Sequence, residues 1–326
     1  MKKRTKIAIV IALICIVLGA VLAFFAMASV HFNFSQLNTV KYETKTHEIH
    51  DSFSNIRINA AEYDIHLLPS QSSTCKVIYP EGDYISYDIS VENGTLTITP
   101  TDQREWYKNI GIYWGSEIET VITVYLPEQE YADLYLKSLS GDISVPDDFA
   151  FSQAEVYSTS GEILYSAITG HDLTTQTTSG DLSLRNLTAG DINITSTSGE
   201  VELSNVKASA ITAHCTSGDV SIQSTETKYG LLVETTSGEI ELSDVIASTK
   251  IEIDTTSGEI ELERCDAQGL FLKSNSGDIS GTLLSEKRFV TDTTSGDVNV
   301  PNTAPLIAGT CEVTTTSGDI RFKIVN

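Results

Sequence analysis

From residue 131 onward apolar and polar residues alternate with a period of two, and a glycine interrupts the alternation at regular intervals. Alternation of this kind predicts half-buried β-strands, with every second side chain turned inward. Two residues after each glycine stand Ile143, Ile163, Leu182, Val201, Val220, Ile240, Ile260, Ile279, Val298 and Ile320. Four residues after it the series is Val145, Tyr165, Leu184, Leu203, Ile222, Leu242, Leu262, Gly281, Val300 and Phe322. Seven before it are Leu134, Ala154, Leu173, Ile192, Ile211, Leu231, Ile251, Leu270, Phe289 and Cys311, and the position five before is mostly aliphatic. Each repeat therefore reads as one strand before the glycine and one after it.

The glycines sit in ten Ser-Gly-Asp or Ser-Gly-Glu triplets, from Gly141 to Gly318, spaced 19 to 22 residues apart. A fixed period of this kind marks a solenoid, and helical repeats need a longer one. Stacked at the ~4.8 Å separation of paired strands, ten coils extend roughly 48 Å. The fold class is all-β: a single-stranded β-helix of about ten coils of roughly 20 residues. A corner glycine is expected where the chain needs positive φ, with Ser and Asp bonding the nearby backbone. Three residues before the glycine the inward position is small and polar or a thiol: Ser138, Ser158, Thr177, Ser196, Cys215, Thr235, Thr255, Ser274, Thr293 and Thr315. An internal hydroxyl ladder from coil to coil is expected there, with Cys215 as a Ser/Thr substitute.

Residues 47–130 alternate without this punctuation and are expected to form irregular β coils or a cap, ahead of the regular solenoid of 131–326. Asn93-Gly94 between two alternating runs is a hairpin signal. Arg321 and Lys323 flank Phe322 and are expected to point outward from the last coil, where charge discourages edge pairing.

The other end is different in kind. Residues 7–28 form a run of 22 without a charge, long enough to span a bilayer as a helix. Residues 1–6 carry Lys2, Lys3, Arg4 and Lys6, so the positive-inside rule keeps them cytoplasmic and places the rest of the chain outside the cell membrane. A cleaved signal is the competing reading, since Ala26-Met27-Ala28 is a small-x-small site, but the apolar run exceeds a usual signal core. Residues 29–46 read as a polar stalk.

Charge narrows the function. The chain of 326 residues has net charge −23; without the four leading basic residues, 17 basic face 44 acidic side chains, a net −27. Nucleic acid is excluded as a natural partner, because binding it needs basic surface. The five cysteines form no CxxC pair, and the four beyond the apolar run are expected as buried free thiols. The six histidines show no zinc spacing, no H-E-x-x-H occurs, and Ser-Gly-Asp in a repeat is turn chemistry rather than a nucleophile elbow. No cofactor is expected.

Two features are candidates for binding. The residue after each glycine is always acidic: Asp142, Glu162, Asp181, Glu200, Asp219, Glu239, Glu259, Asp278, Asp297 and Asp319. This stripe is either a partner or cation surface or a solvated row of turn carboxylates, and its charge permits weak association of divalent cations. Paired acids on a β-helix also raise a polysaccharide-cleaving alternative, though the acids repeat monotonously. The second feature breaks the pattern: Trp106, Tyr107, Tyr113 and Trp114 cluster in EWYKNIGIYWG, and aromatics of this kind can stack on sugars or anchor a protein.

The apolar N-terminus, Val124-Tyr125-Leu126-Pro127, the stretch from Leu134 to Ile143 and the Thr-Thr-Ser-Gly-Asp/Glu series together resemble a bacterial adhesin-type family of unknown function, related to the GIN-type auto-transporter adhesin domains. The resemblance covers roughly residues 50–326. It implies a right-handed, pectin-lyase-like β-helix on the outside of a Gram-positive-type cell, with some relatives among envelope-stress genes. It supplies no catalytic residue. The expected function is a membrane-anchored, non-catalytic binding protein whose partner is envelope polymer or another envelope protein; a passive spacer is a further alternative.

Overall fold

The computed structural model describes residues 3–29, 42–82, 85–102, 120–302 and 309–325. One helix, Lys3–Ser29, lies in the first of two compact units. Its Ala12–Ser29 window has a mean hydropathy of 2.6 and buries none of its residues, so by length and composition it can cross a membrane.

The second unit is a parallel β-solenoid. Leu173–Thr177 and Leu182–Arg185 pair in parallel with Asp191–Ser198 and Val201–Ser204, placing Leu173 against Ile192 and Leu182 against Val201. The next coil continues the register, with Ile192 against Ile211 and Val201 against Val220. Equivalent residues thus form columns, and those columns are the core: Ile192, Ile211, Leu231 and Ile251 are all buried. Fully burying one such side chain contributes about 1.5–3 kcal/mol, and a coil achieves that only between two neighbours.

Each coil also has a short third side that the two-strand reading lacks. Ile168–Thr169, Lys207–Ala208 and Glu226–Thr227 are two-residue strands stacked in parallel series. Their inward residues are small: Thr169, Ala208 and Thr227, continued by Ala247 and Ala267. Two residues are too few to display a period.

The corner glycines are required chiefly for space. A Cβ on Gly161, Gly180, Gly218, Gly238 or Gly277 would overlap the carbonyl oxygen of the glycine one coil below. Positive φ, the reason expected from sequence, holds from Gly199 (136°) onward but not at Gly141, Gly161 or Gly180. The left-handed backbone instead belongs to a second corner, six residues after the glycine: Asn186, Asn205, Ser224, Asp244 and Arg264 have φ of 50–55°. Asn and Asp tolerate that region better than other residues with a Cβ.

At both ends the stacking order departs from the chain order. Asn55–Ala61 lies between Thr95–Asp102 and Glu130–Ser138, so the earliest coil is interior and the coil completed by Val121–Leu126 lies outside it. That outer strand is paired on its far side, antiparallel, by Lys76 to Ile78 of Cys75–Gly82. Asn93 (φ 50°) and Gly94 (φ 74°) form a two-residue turn between Ile85–Glu92 and Thr95–Asp102. At the other end Thr310–Ser317 lies between Ile260–Ser276 and Arg288–Ser295. Backbone bonds agree: Ile279 N–H donates to the Asp319 carbonyl, and Ile320 N–H to that of Asp297. The expectation that Arg321 and Lys323 guard the end of the stack is therefore corrected. They do point outward, but from the penultimate coil.

Candidate functional site

The acidic row runs along the glycine corner, and its two residue types behave differently. Asp142 Oδ1 accepts the Glu162 N–H at 2.8 Å, Asp181 that of Glu200 at 2.9 Å, and Asp219 that of Glu239 at 2.8 Å. Asp278 accepts from Asp319 at 2.8 Å, and Asp319 from Asp297 at 2.7 Å, following the stacking order rather than the chain order. The aspartates therefore satisfy corner amides of the adjacent coil. Glu162, Glu200, Glu239 and Glu259, one methylene longer, hold no such bond among the described residues. Asp64 begins the series, accepting the Asp142 N–H at 2.8 Å. It has no Ser-Gly before it, and its signal was the Asp64-Ile65-x-Leu67 run, which matches Asp142-Ile143-x-Val145.

Where glutamates adjoin, negative charge concentrates. Carboxylate oxygens of Glu239, Glu241 and Glu261, all exposed, lie within 4.8 Å of one another. The Glu239 carboxyl is raised above its ordinary value by partial desolvation and by the charges of Glu241, Glu259, Asp219 and Glu261. Such oxygens suit a hard divalent cation, but an exposed acidic cluster is also ordinary surface.

Inside the corner several hydroxyls of the column bond glycine peptides rather than other hydroxyls, Thr235 donates to the Ser237 carbonyl, and the buried Ser196 and Thr255 hydroxyls make no bond to the described residues. Ser158 Oγ accepts the Gly161 N–H, and Thr177 Oγ1 that of Gly180, each at 2.9 Å. In later coils the bond crosses: Ser274 donates to the Gly258 carbonyl at 3.3 Å and Thr315 to that of Gly277 at 3.2 Å. Cys215 occupies this column, buried, with its thiol pushed up to about 11 by burial. Cys75, Cys265 and Cys311 are likewise buried free thiols, each raised to about 12 chiefly by burial.

The other faces carry ion pairs and a histidine–carboxylate contact between coils. Lys273 Nζ lies 2.7 Å from Asp254, His214 Nδ1 2.9 Å from Glu234, and Arg264 Nε 2.7 Å from Asp244. All are half exposed, so each is worth at most about 1 kcal/mol. An open groove of about 440 Å³ crosses Ser280, Gly281 and Thr282 between Glu261 and Arg321. The aromatic candidates Trp106, Tyr107, Tyr113 and Trp114 lie outside the described residues.

The Toastrack DUF4097 family matches residues 53–245 and, one stretch overlapping, 226–326. This chain belongs to the Toastrack family. No curated protein matches it. Among solved structures, a "putative lipid binding protein" from Parabacteroides distasonis is 17% identical, with a TM-score of 0.45 over 86% of this chain and 97% of that one. A "putative adhesin" from Bacteroides fragilis is 12% identical, with a TM-score of 0.42 over 87% and 97%. Another from Parabacteroides merdae is 14% identical, with a TM-score of 0.42 over 87% and 96%.

Proposed function

We propose that this Toastrack protein is a non-catalytic binding protein, held to the cell membrane by the helix Lys3–Ser29 and displaying its solenoid outside the cytoplasm. The observation that carries this reading is the columnar surface. In-register coils bring the corner serine to the same place at each rung, Ser198 against Ser217, Ser237 and Ser257 with an acidic residue two positions on, while the outward residues of the strands vary, so the molecule offers a periodic corner ridge suited to an extended ligand. Envelope polymer fits that description, and so does an extended segment of another envelope protein. The tryptophan pair Trp106 and Trp114 is a second proposed contact, resting on the sequence alone.

The acidic row contributes in two ways. Its aspartates build the corner, and its glutamates, left free of the backbone, are the carboxylates available to a partner or to weakly associating cations. A role in envelope stress is part of the same proposal and comes from the resemblance of the chain, not from its geometry.

The test is retention on isolated envelope by the full chain in detergent, with and without calcium, followed by identification of what is bound. Saturable capture of one polymer or protein supports the reading, and calcium dependence would place the glutamates in the contact. Background-level capture in both conditions would turn the account toward a passive spacer. Loss of capture in a Trp106→Ala, Trp114→Ala variant supports the aromatic contact, and unchanged capture removes it.

A further inference from the structure

The inverted order of the last two coils has a cause in side-chain volume. In the column four residues after the glycine, Gly281 alone has no side chain, and its partner in the stack is Phe322. Phe322 is 3% exposed and packs against Phe289 of the outer coil, with ring centroids 5.7 Å apart and the rings tilted by 41°. In chain order Val300 would lie over Gly281, and a smaller side chain would face the space that Phe322 fills. A second column acts in the same sense. Five residues before the glycine the interior coil has Val313, wholly buried, while the outer coil has Thr291. The more apolar coil is inside, and the coil with the polar substitution ends the stack, where Val298 is 45% exposed.

Among the described residues the strand register does not distinguish the two orders. Thr310–Ser317 pairs with Ile260–Ser276 through Ser317 and Ser276, and with Arg288–Ser295 through Ser317 and Ser295. The register is the same on both sides, so register alone does not fix which coil takes which rung. At the opposite end Cys75–Gly82 is paired to the outer strand, whereas no strand covers the far edge of Arg288–Ser295 among the described residues.

We propose that the last two coils form a two-state element. In the state described here residues 310–324 are inserted between the Gly277 and Gly296 coils, held by Gly281 and Phe322, and a relatively polar coil closes the stack. In the exchanged state the coils follow chain order, and Val313 and Phe322 come to the free end as an apolar surface. The element therefore switches the chemistry of that end without changing the rest of the solenoid.

Disulfide trapping in the full chain reads the order directly. Lys273 and Thr314 are Cα partners on the outer face, as are Thr314 and Asp292, so Lys273 and Asp292 are two rungs apart. Two rungs are about 9.6 Å, beyond the ~7 Å limit for a disulfide. Under mild oxidation K273C with T314C should crosslink, and K273C with D292C should do so at least tenfold less. Exchanging the determinants (Thr291→Val, Val300→Phe, Val313→Thr and Phe322→Val together) should reverse that preference. In a chain ending at Asn302, which lacks the inserted coil, K273C and D292C should crosslink freely. Equal crosslinking of both pairs in the unexchanged background would overturn the inserted order. An unreversed preference in a folded exchange variant would overturn the two-state element. So would failure of the 273–292 crosslink in the chain ending at Asn302, which also decides the matter if the exchange variant does not fold.

Discussion

A methyl group added to Gly238 would meet the carbonyl oxygen of Gly218, and the φ of 136° there is already unfavourable for an L side chain. Neither neighbour can withdraw, because both are held by the coils beyond them. Gly238→Ala should therefore lower stability by about 2–3 kcal/mol in urea unfolding, at the upper end of what single substitutions do. A change below a few tenths of a kcal/mol would mean that the glycine column is not close-packed. The acidic row offers a sharper comparison. Asp219 accepts the Glu239 N–H, and Glu200 holds no such bond. Asp219→Ala should cost about 1 kcal/mol, the net worth of one hydrogen bond, and Glu200→Ala close to nothing. Equal effects would show that the row acts through charge and not through the corner backbone.

Elements formed by long, alternating stretches were legible in the sequence; those set by one or two residues were not. The columns through Leu182, Val201 and Val220 follow from the period and were found in register. The third side escaped because Lys207–Ala208 and its equivalents are too short to alternate. The second corner was present as Asn186, Asn205 and Asp244 at one offset, a signal for left-handed backbone that the prominent Ser-Gly triplets obscured. The stacking order was hidden for a deeper reason: repeats that are interchangeable by period carry their order only in exceptions such as Gly281, Thr291 and Phe322. Of the candidate sites, the acidic row was legible as a row but its division into backbone-bonded Asp and free Glu needed geometry.

Two predictions belong to this scale. Buried thiols with raised pKa are poor nucleophiles, so Cys75, Cys215, Cys265 and Cys311 should resist alkylation at pH 8 in the folded protein and react once it is unfolded, as read by mass spectrometry. Rapid native labelling at any of them would place a coil boundary in the wrong position. The glutamate cluster sets a pH dependence. Because the Glu239 carboxyl is raised in the folded state, this group binds its proton more readily folded than unfolded, and its own contribution to stability should increase as pH falls from 7 into the carboxylate range. The Tm of a Glu239→Gln, Glu241→Gln variant should exceed that of the parent chain by more at pH 7 than at acid pH, and added salt should reduce the difference.

For the whole molecule, a solenoid in which every coil depends on its neighbours offers length as its main functional variable. Each rung adds about 4.8 Å of face and one more copy of the Ser-Gly-Asp/Glu corner. A binding role uses that repetition, because contacts along an extended ligand accumulate with the number of rungs. A spacer role uses only the distance. The coils from Gly199 to Gly238 are interior, in register on both sides and free of the exceptions that fix the ends. Deleting residues 200–238 joins Gly199 to Glu239 and preserves the corner sequence across the seam. The decisive measurement is the retention of this shortened chain on isolated envelope, compared with the full chain at equal concentration. The binding account predicts a loss of affinity of tenfold or more with the fold intact by circular dichroism. Retention of a folded, shortened chain at the full-length level would contradict it.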